Sequence, residues 1–257
     1  MSKILQHKPL LEAIFEIRWQ LVDFKTKTQY EPSYKLLLGR FFDRIQSAYP
    51  VYEQLASANI PDEIAEYIVQ HRFRAEKDKW PLVQIGPGIV TVNSTSDYVW
   101  NDFKTRLLFV LKELFEAHPK LDELKINKLS LRYIDAVEID YTSEDIHEFL
   151  RKFMKIEVKL PDELFRDSNV ANTPCSMLQH FVFESSSPKG RIHLRFSTGL
   201  KEGKPALIWE TNVESAGDDL PAIPKDFEAW LDASHNLTDD WFFKIIEGDL
   251  EKRFSGE

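Results

Sequence analysis

The chain has 257 residues, of which 43% are hydrophobic and 12% aromatic, and it carries 33 Lys and Arg against 42 Asp and Glu. This composition is typical of an ordered globular protein, since disorder needs lower hydrophobicity and a higher net charge. No apolar run approaches the roughly 20 residues of a membrane span, and the N-terminus lacks the apolar core of a signal peptide. The single Cys175 excludes an internal disulfide. We therefore expect a cytoplasmic protein without a membrane partner.

The charge of the chain is unevenly placed. Residues 201–257 hold 6 Lys and Arg against 14 Asp and Glu, so most of the net charge of −9 lies there. Binding of nucleic acid without sequence preference relies on a basic surface that releases counterions from the phosphates. The acidic balance therefore argues against a nucleic-acid partner, and the acidic segment is suited to a basic protein surface.

The first half of the chain predicts a β-α-β-β-β-α unit. Apolar and polar residues alternate over 13–22, which is typical of a strand with one buried face. Apolar residues spaced by three and four predict a helix over 32–48, followed by a loop over 51–64. The further predicted elements are strands at 65–75, 81–85 and 89–93, a tight hairpin at Gly86-Pro87-Gly88, and a helix from a cap at Ser96 or Asp97 to His118-Pro119.

The second half repeats that order of elements. A strand over 127–139 contains Leu131-Arg132-Tyr133, which parallels Ile17-Arg18-Trp19 in the first strand. Thr142 or Ser143 is placed to cap a short helix. The other predicted elements are a long connection over 155–176, strands at 177–185, 191–198 and 206–214, a loop over 216–223, and a helical segment from Pro224 with Asn236-Leu237-Thr238 as a candidate break.

This repetition predicts an α+β fold of two similar β-α-β-β-β-α halves, at residues 1–122 and 123–257. We expect a mainly antiparallel sheet with the helices packed on one side. Internal duplication and a chance likeness of two α+β units both explain the repeated order, because residue identity between the halves is slight.

Common catalytic motifs are missing from the sequence. It has no Gly-rich phosphate loop, nucleophile elbow or paired-His zinc motif, so we predict no cofactor, no metal and no enzymatic activity. Cys175 and His180 suggest a thiol and its base, but inert packing of the thiol is favoured because no third group orients them. His180 and His193 can face each other across a hairpin, although a metal site needs a further ligand.

The candidate ligand-binding residues lie on the polar faces of the predicted strands. If these strands share one sheet, their side chains form a cationic face suited to phosphate or carboxylate groups. The other interpretation is a solvated face whose arginines pair with acids such as Glu16 or Glu138. The candidates on this face are Arg18, Gln70, Arg72, Arg74, Arg132, Arg191, His193 and Arg195.

His235, on the last helical segment, is a further candidate. One of its ring nitrogens can bond a carboxylate or carbonyl while the other faces a cleft. A structural histidine is the simpler interpretation. The neighbouring Asp239-Asp240 pair is explained by the preference of acids for the first turn of a helix.

Short motifs distributed over the whole chain resemble a known group of proteins in their order and spacing. The motifs are Glu12-Ala13-Ile14-Phe15-Glu16-Ile17-Arg18, Val83-Gln84-Ile85-Gly86, Tyr98-Val99-Trp100-Asn101-Asp102-Phe103, Leu131-Arg132-Tyr133-Ile134-Asp135, and His235 with the later Phe242-Phe243 and Ile246. The group is a sporadically distributed, functionally uncharacterised family of bacterial proteins of about this length. The resemblance implies a bacterial, intracellular protein and transfers no catalytic residue. The patchy distribution of the family is similar to that of genes on mobile or defence-related loci.

These observations favour a non-enzymatic module that binds another macromolecule, as an accessory or neutralising component of a bacterial defence or toxin–antitoxin locus. Its expected partner is a protein, and self-association stays open. One alternative is a binder of an anionic small molecule or nucleotide on the Arg-rich face. A weaker alternative is nucleic-acid binding by a duplicated, saddle-like sheet, as in TATA-binding proteins.

Overall fold

The computed structural model of the protein describes residues 5–23, 28–95, 97–141 and 143–257. The strands in these residues are Leu10–Trp19 (β1), Val22–Asp23 (β2), Gln29–Tyr30 (β3), Val51–Gln54 (β4), His71–Arg74 (β5), Leu82–Gly86 (β6), Ile89–Ser94 (β7), Ile126–Glu138 (β8), Leu178–Ser186 (β9), Lys189–Lys201 (β10) and Lys204–Ala216 (β11). The α-helices are Tyr34–Ile45 (α1), Trp100–Ala117 (α2), Ile146–Met154 (α3), Phe227–Ile246 (α4) and Asp249–Ser255 (α5).

Nine of the described strands form one antiparallel sheet in the order β4-β5-β6-β7-β1-β8-β11-β10-β9, and β2 and β3 form a separate ribbon. The order β5-β6-β7-β1 of the first half corresponds to β9-β10-β11-β8 of the second. The two halves meet where β1 pairs antiparallel with β8. The predicted α+β fold with a mainly antiparallel sheet is thereby confirmed.

One face of the sheet is buried beneath the helices, as strand alternation predicts. In β1 the side chains of Phe15, Ile17 and Trp19 are on this face, and in β8 those of Leu129 and Leu131. Phe15 contacts the rings of α4, and Phe73 of β5 contacts those of α1. The register of β1 and β8 therefore fixes which side of the sheet carries the helices.

Helix α4 joins two hydrophobic clusters that lie side by side on this face. Its first turns, through Phe227 and Trp230, pack in the cluster beneath α1 and α2. Its end, through Ile246, packs in the cluster formed with α3 and α5. Between these ends the buried residues of α4 are polar, namely Ser234 and Thr238. The two apolar cores are thus separated by a polar band on the same helix.

The predicted helix caps were placed too early in the chain. Helix α3 begins after Asp145, whose carboxylate accepts hydrogen bonds from the backbone N–H groups of His147 (2.8 Å) and Glu148 (3.4 Å). Ser143 instead donates to Asp140. Helix α2 begins after Val99, so Asp97 is not its cap. The other two predicted caps, Ser96 and Thr142, lie outside the described residues.

Three further predictions differ from the structure. The predicted loop over 51–64 begins with the edge strand β4. The strand predicted over 65–75 is confined to His71–Arg74, because Tyr67 has a φ of +55° that ends extended structure. Helix α4 is continuous, and within it the Thr238 hydroxyl donates to the carbonyls of Ser234 and His235.

The hairpin predicted at Gly86-Pro87-Gly88 is confirmed and joins β6 to β7. Gly88 has a φ of +77°, which a residue without a Cβ adopts at little cost. None of the helices in the described part of the chain has the length and apolar character needed to cross a membrane.

Gly86 and Gly39 provide a matched test of backbone packing. A Cβ on Gly86 would lie 1.9 Å from the backbone oxygen of Ile68, whereas a Cβ on Gly39 of α1 meets no atom within 4 Å. We expect Gly86→Ala to lower the free energy of unfolding by about 1–3 kcal/mol, because the hairpin and residues 65–70 must move apart. Gly39→Ala should leave it unchanged or raise it by up to about 1 kcal/mol. Urea unfolding of both variants checks this, and equal stabilities would contradict the close packing at Gly86.

Candidate functional site

The strand residues expected to bind a ligand share the sheet face opposite to the helices. The register places them at successive positions on this face, and they are Arg18, Arg72, Arg74, Arg132, Arg191, His193 and Arg195. Gln70 lies just before β5, where its amide donates to the carbonyl of Ile60. The structure thus brings seven of the predicted residues to one face, spread over several strands.

Acids on the same face accompany most of these cations. The ion pairs are Arg18 with Glu16 (2.8 Å), Arg72 and Arg74 with Glu53 (3.3 and 2.7 Å), and Arg132 with Glu210 (3.8 Å). Lys128 pairs in the same way with Glu214 at 2.6 Å. The surface is therefore of mixed charge. This agrees with the second interpretation of the sequence, a solvated face whose arginines pair with acids.

The β9–β10 end of this face differs from the rest. Arg191 and Arg195 are exposed and form no ion pair with any described residue. His193 lies between them, and its Nδ1 is 3.2 Å from Nε2 of His180, which is within hydrogen-bonding distance. Burial lowers the pKa of His193, which favours a neutral imidazole there. Among the candidate arginines on the described part of this face, those without an ion pair are therefore Arg191 and Arg195 of β10, next to the edge strand.

His235 lies on the helix-covered side of the sheet, apart from the arginines. It lines a pocket of about 260 Å³, which we call the central pocket. Helix α4, the start of α2 and the segment around Pro9 form the walls, and β8 and β11 form the floor. The pocket lies at the polar band of α4, where the two hydrophobic clusters meet.

The floor of the central pocket is made by Tyr133 and Asp135 of β8 and Thr211 of β11. Tyr133 and Asp135 follow Leu129 and Leu131 at alternate positions, so all four side chains are on the helix-covered face. The pairing of β1 with β8 shifts register between Leu10 and Glu12, opposite Asp135. Such irregularities re-aim side chains and occur often beside functional sites.

Asp135 is the most unusual side chain in the pocket. It is only 3% exposed, and no described residue forms a hydrogen bond or an ion pair with its carboxyl group. Burial alone raises the pKa of Asp135 from 3.8 to about 8. The carboxyl is therefore largely protonated at neutral pH, and it lies where a ligand in the pocket can reach it.

A hydrogen-bonded chain runs beside Asp135. The hydroxyl groups of Tyr98 and Tyr133 are 2.8 Å apart, and the Tyr133 hydroxyl is 3.1 Å from Nδ1 of His235. Burial raises the pKa of Tyr133 well above its usual value, and it lowers that of His235 to about 4. All three groups are therefore neutral at pH 7, so none of them supplies a positive charge to compensate Asp135.

The walls of the pocket are mainly aromatic. The indole of Trp100 stacks on the His235 ring at 4.0 Å between centroids, and Phe242 and Phe243 line the pocket from the next turns of α4. Lys8 is the lysine of the lining, and its Nζ donates to the backbone oxygen of Tyr98 at 2.7 Å. This bond holds the N-terminal segment against the start of α2.

Asp239 adds a second carboxyl group to the wall. Burial raises its pKa, and its negative charge contributes to the raised pKa values of Tyr98 and Tyr133. When Asp135 and Asp239 ionise, their negative charges attract a positively charged ligand.

The described residues contain no cluster of three or more His, Cys, Asp and Glu that could hold a metal ion. Cys175 is exposed, in the connection before β9. The central pocket offers hydrogen bonding, a titratable carboxyl and aromatic surface, and these are the means by which ligands are bound and oriented.

Sequence reasoning found His235 and missed the rest of the pocket. The signal for Asp135 was present, because an acid stands at an apolar-face position of the strand that alternates most clearly. Tyr98 and Trp100 carried no such signal, since an aromatic residue before a helix is ordinarily explained by packing.

Comparison of the sequence with models of known protein families, and with curated proteins, gives no match. The resemblance to an uncharacterised bacterial family therefore stays a prediction, and the geometry of the chain carries the functional argument.

The stability of the protein should depend on pH through Asp135. Because its pKa is raised from 3.8 to about 8 on folding, its favourable contribution is complete below pH 4 and is lost as the pH rises to 8. We expect Asp135→Asn to stabilise the protein at pH 7. Its advantage over the wild type should grow by up to about 1.4 kcal/mol per pH unit between pH 4 and 8.

Urea unfolding at several pH values measures this difference. Asp122→Asn removes the carboxyl group of an exposed acid and is the matched control. A constant difference between Asp135→Asn and the wild type would contradict the burial of an unpartnered carboxyl.

Proposed function

We propose that the protein binds a small ligand that carries a protonated amine. The ammonium group contacts Asp135, and the apolar body lies against Trp100, Phe242 and Phe243. The observation that supports this proposal is the Asp135 carboxyl, which is 3% exposed and without a hydrogen-bonding partner among the described residues. Buried polar groups are nearly always hydrogen-bonded, so an exception that lines a pocket points to a ligand group.

The charge of the pocket supports a cation in preference to an anion. Asp135 and Asp239 contribute two carboxyl groups, while His235 is held neutral by a pKa of about 4. Lys8 is an exposed side chain at the rim and already donates to the backbone of Tyr98. A carboxylate or phosphate ligand would meet two acids without a dedicated cation, and this makes anion binding unfavourable here.

The size and lining of the pocket support a compact, largely apolar ligand. Its volume of about 260 Å³ lies just below the range of about 300–1,000 Å³ typical of small-molecule sites. Aromatic walls with a few convergent polar groups are the usual composition of such sites. The aromatic surface of Trp100 can also stack on the ligand or contact its cationic end.

Binding of an amine should release a proton. At pH 7 Asp135 is protonated in the protein alone, because its pKa is about 8. An ammonium group in contact with the carboxyl lowers this pKa, so the carboxyl gives its proton to solvent and becomes the counterion. Affinity should then rise with pH by nearly tenfold per unit between pH 5 and about 7.5.

Calorimetry with matched probes tests the proposal. Phenethylamine, tyramine and tryptamine are compared with the alcohol and carboxylic acid of the same skeletons, at pH 7 in phosphate and in Tris. We expect the amines to bind best and to release close to one proton, which appears as a buffer-dependent heat. Asp135→Asn should weaken amine binding by about 10- to 100-fold and abolish the proton release.

Asp122→Asn serves again as the control and should bind the amines like the wild type. Absence of Asp135-dependent binding for all three amines would contradict the proposal. Stronger binding of the carboxylates would revive the anionic-ligand alternative and direct attention to Arg191 and Arg195.

A further inference from the structure

β9 is the long free edge of the sheet, and its surface is apolar. It pairs with β10 on one side, and it is the last strand in the order of the described sheet. Leu178, Phe181, Val182 and Phe183 are between 43% and 62% exposed. The opposite edge, β4, has only four residues, and its Glu53 is held in ion pairs. Long apolar edges are templates for strand pairing, and proteins ordinarily protect them.

The aromatic residues of β9 form a platform on the helix side of the sheet. The rings of Phe181 and Phe183 are 6.4 Å apart and nearly parallel. Phe183 in turn makes an edge-to-face contact of 5.6 Å with Trp241 of α4. The platform continues to the free edge of β9, where a second strand could extend its apolar surface.

We propose that β9 pairs antiparallel with β9 of a second copy of this chain, with the two-fold axis at Val182. The sheet then runs through both molecules, and the helices stay on the same side in each. A two-fold interface of this kind joins the same surface of two copies, so the strand must be complementary to itself.

The sequence of β9 satisfies that condition in this register. With the axis at Val182, the central residue of the nine-residue strand, every residue has a partner. Phe181 of each copy lies opposite Phe183 of the other, and His180 lies opposite Glu184. Opposed aromatic pairs are favourable across antiparallel strands, and an imidazole can hydrogen-bond to a carboxylate that faces it.

Neighbouring registers lose this match. Residues that lie opposite each other must point to the same face of the joined sheet, and this holds only when the two-fold axis lies at a residue. The nearest alternative registers therefore have the axis at Phe181 or at Phe183. These place His180 opposite Val182 or Ser186 and shorten the paired segment. Glu184 lies opposite Arg191 of β10 and forms no ion pair with a described residue of its own chain, so its carboxylate can turn towards the second copy.

This inference is separate from the ligand proposal, because β9 contributes no residue to the central pocket. The partner strand it requires has the residue order of β9 itself, and a second copy of this chain supplies that strand.

Sedimentation of the purified full-length chain over a range of concentrations tests the proposal. We expect the wild type to form a dimer. Val182→Lys places two like charges at the axis and should weaken the dimer by about 100-fold. His180→Glu should weaken it by opposing Glu184, and the double variant His180→Glu with Glu184→Lys should restore it. Circular dichroism of each variant confirms that the fold is intact.

Cysteine cross-linking tests the register independently. In a Cys175→Ser background, Val182→Cys should form an intermolecular disulfide under mild oxidation. Leu178→Cys should not, since Leu178 and its copy would be about 26 Å apart along the strands. A wild type that stays monomeric at every concentration would overturn the proposal. So would a dimer that survives Val182→Lys, or one that cross-links through Leu178→Cys.

Discussion

The pairing of β1 with β8 is the constraint on which the rest of the structure depends. It joins the two halves into one sheet, and its register places Phe15, Ile17, Leu129 and Leu131 on a single face. Because side chains alternate with a period of two, a slip by one residue would move this whole set to the opposite side. The burial of both cores therefore follows from one antiparallel pair at the centre of the sheet.

The same arrangement creates the central pocket. Each half brings its own helices to the covered face, so two hydrophobic clusters form side by side with a seam between them. Helix α4 crosses that seam, and its residues there are polar where those at its ends are apolar. A close-packed seam would need apolar residues on both the helix and the strand beneath it. The chain instead has Thr238 and His235 above Tyr133 and Asp135, and the seam stays open.

The fold was largely predictable because its signals are local. Strand alternation and helical spacing identified α1, α2, β8 and the three strands from β9 to β11 with errors of a few residues at their ends. The errors arose where tertiary contacts decide the structure. Residues 65–70 alternate like a strand, yet they cover the β6–β7 hairpin, and Ile68 lies against Gly86. Helix α4 contains Asn236-Leu237-Thr238, yet packing at both of its ends keeps it helical.

The candidate site was predictable only in part, for a related reason. Polar residues on a strand face are visible in a sequence, but their partners lie on other strands. The arginines of the open face were therefore found without Glu53 and Glu210, the acids that pair with them. Tyr98, Tyr133 and His235 are brought together from three distant segments, and no spacing in the sequence predicts such a cluster.

Asp135 connects the stability of the fold with its proposed use. A domain is stable by only about 5–15 kcal/mol, and keeping the Asp135 carboxyl protonated at pH 7, against a pKa of 3.8 in the unfolded chain, costs about 4 kcal/mol of this. The fold therefore keeps Asp135 as a neutral acid between two apolar cores. A ligand that supplies its own positive charge removes that cost, whereas a neutral or anionic ligand does not. The burial that makes the residue destabilising is thus the property that makes it selective for a cation.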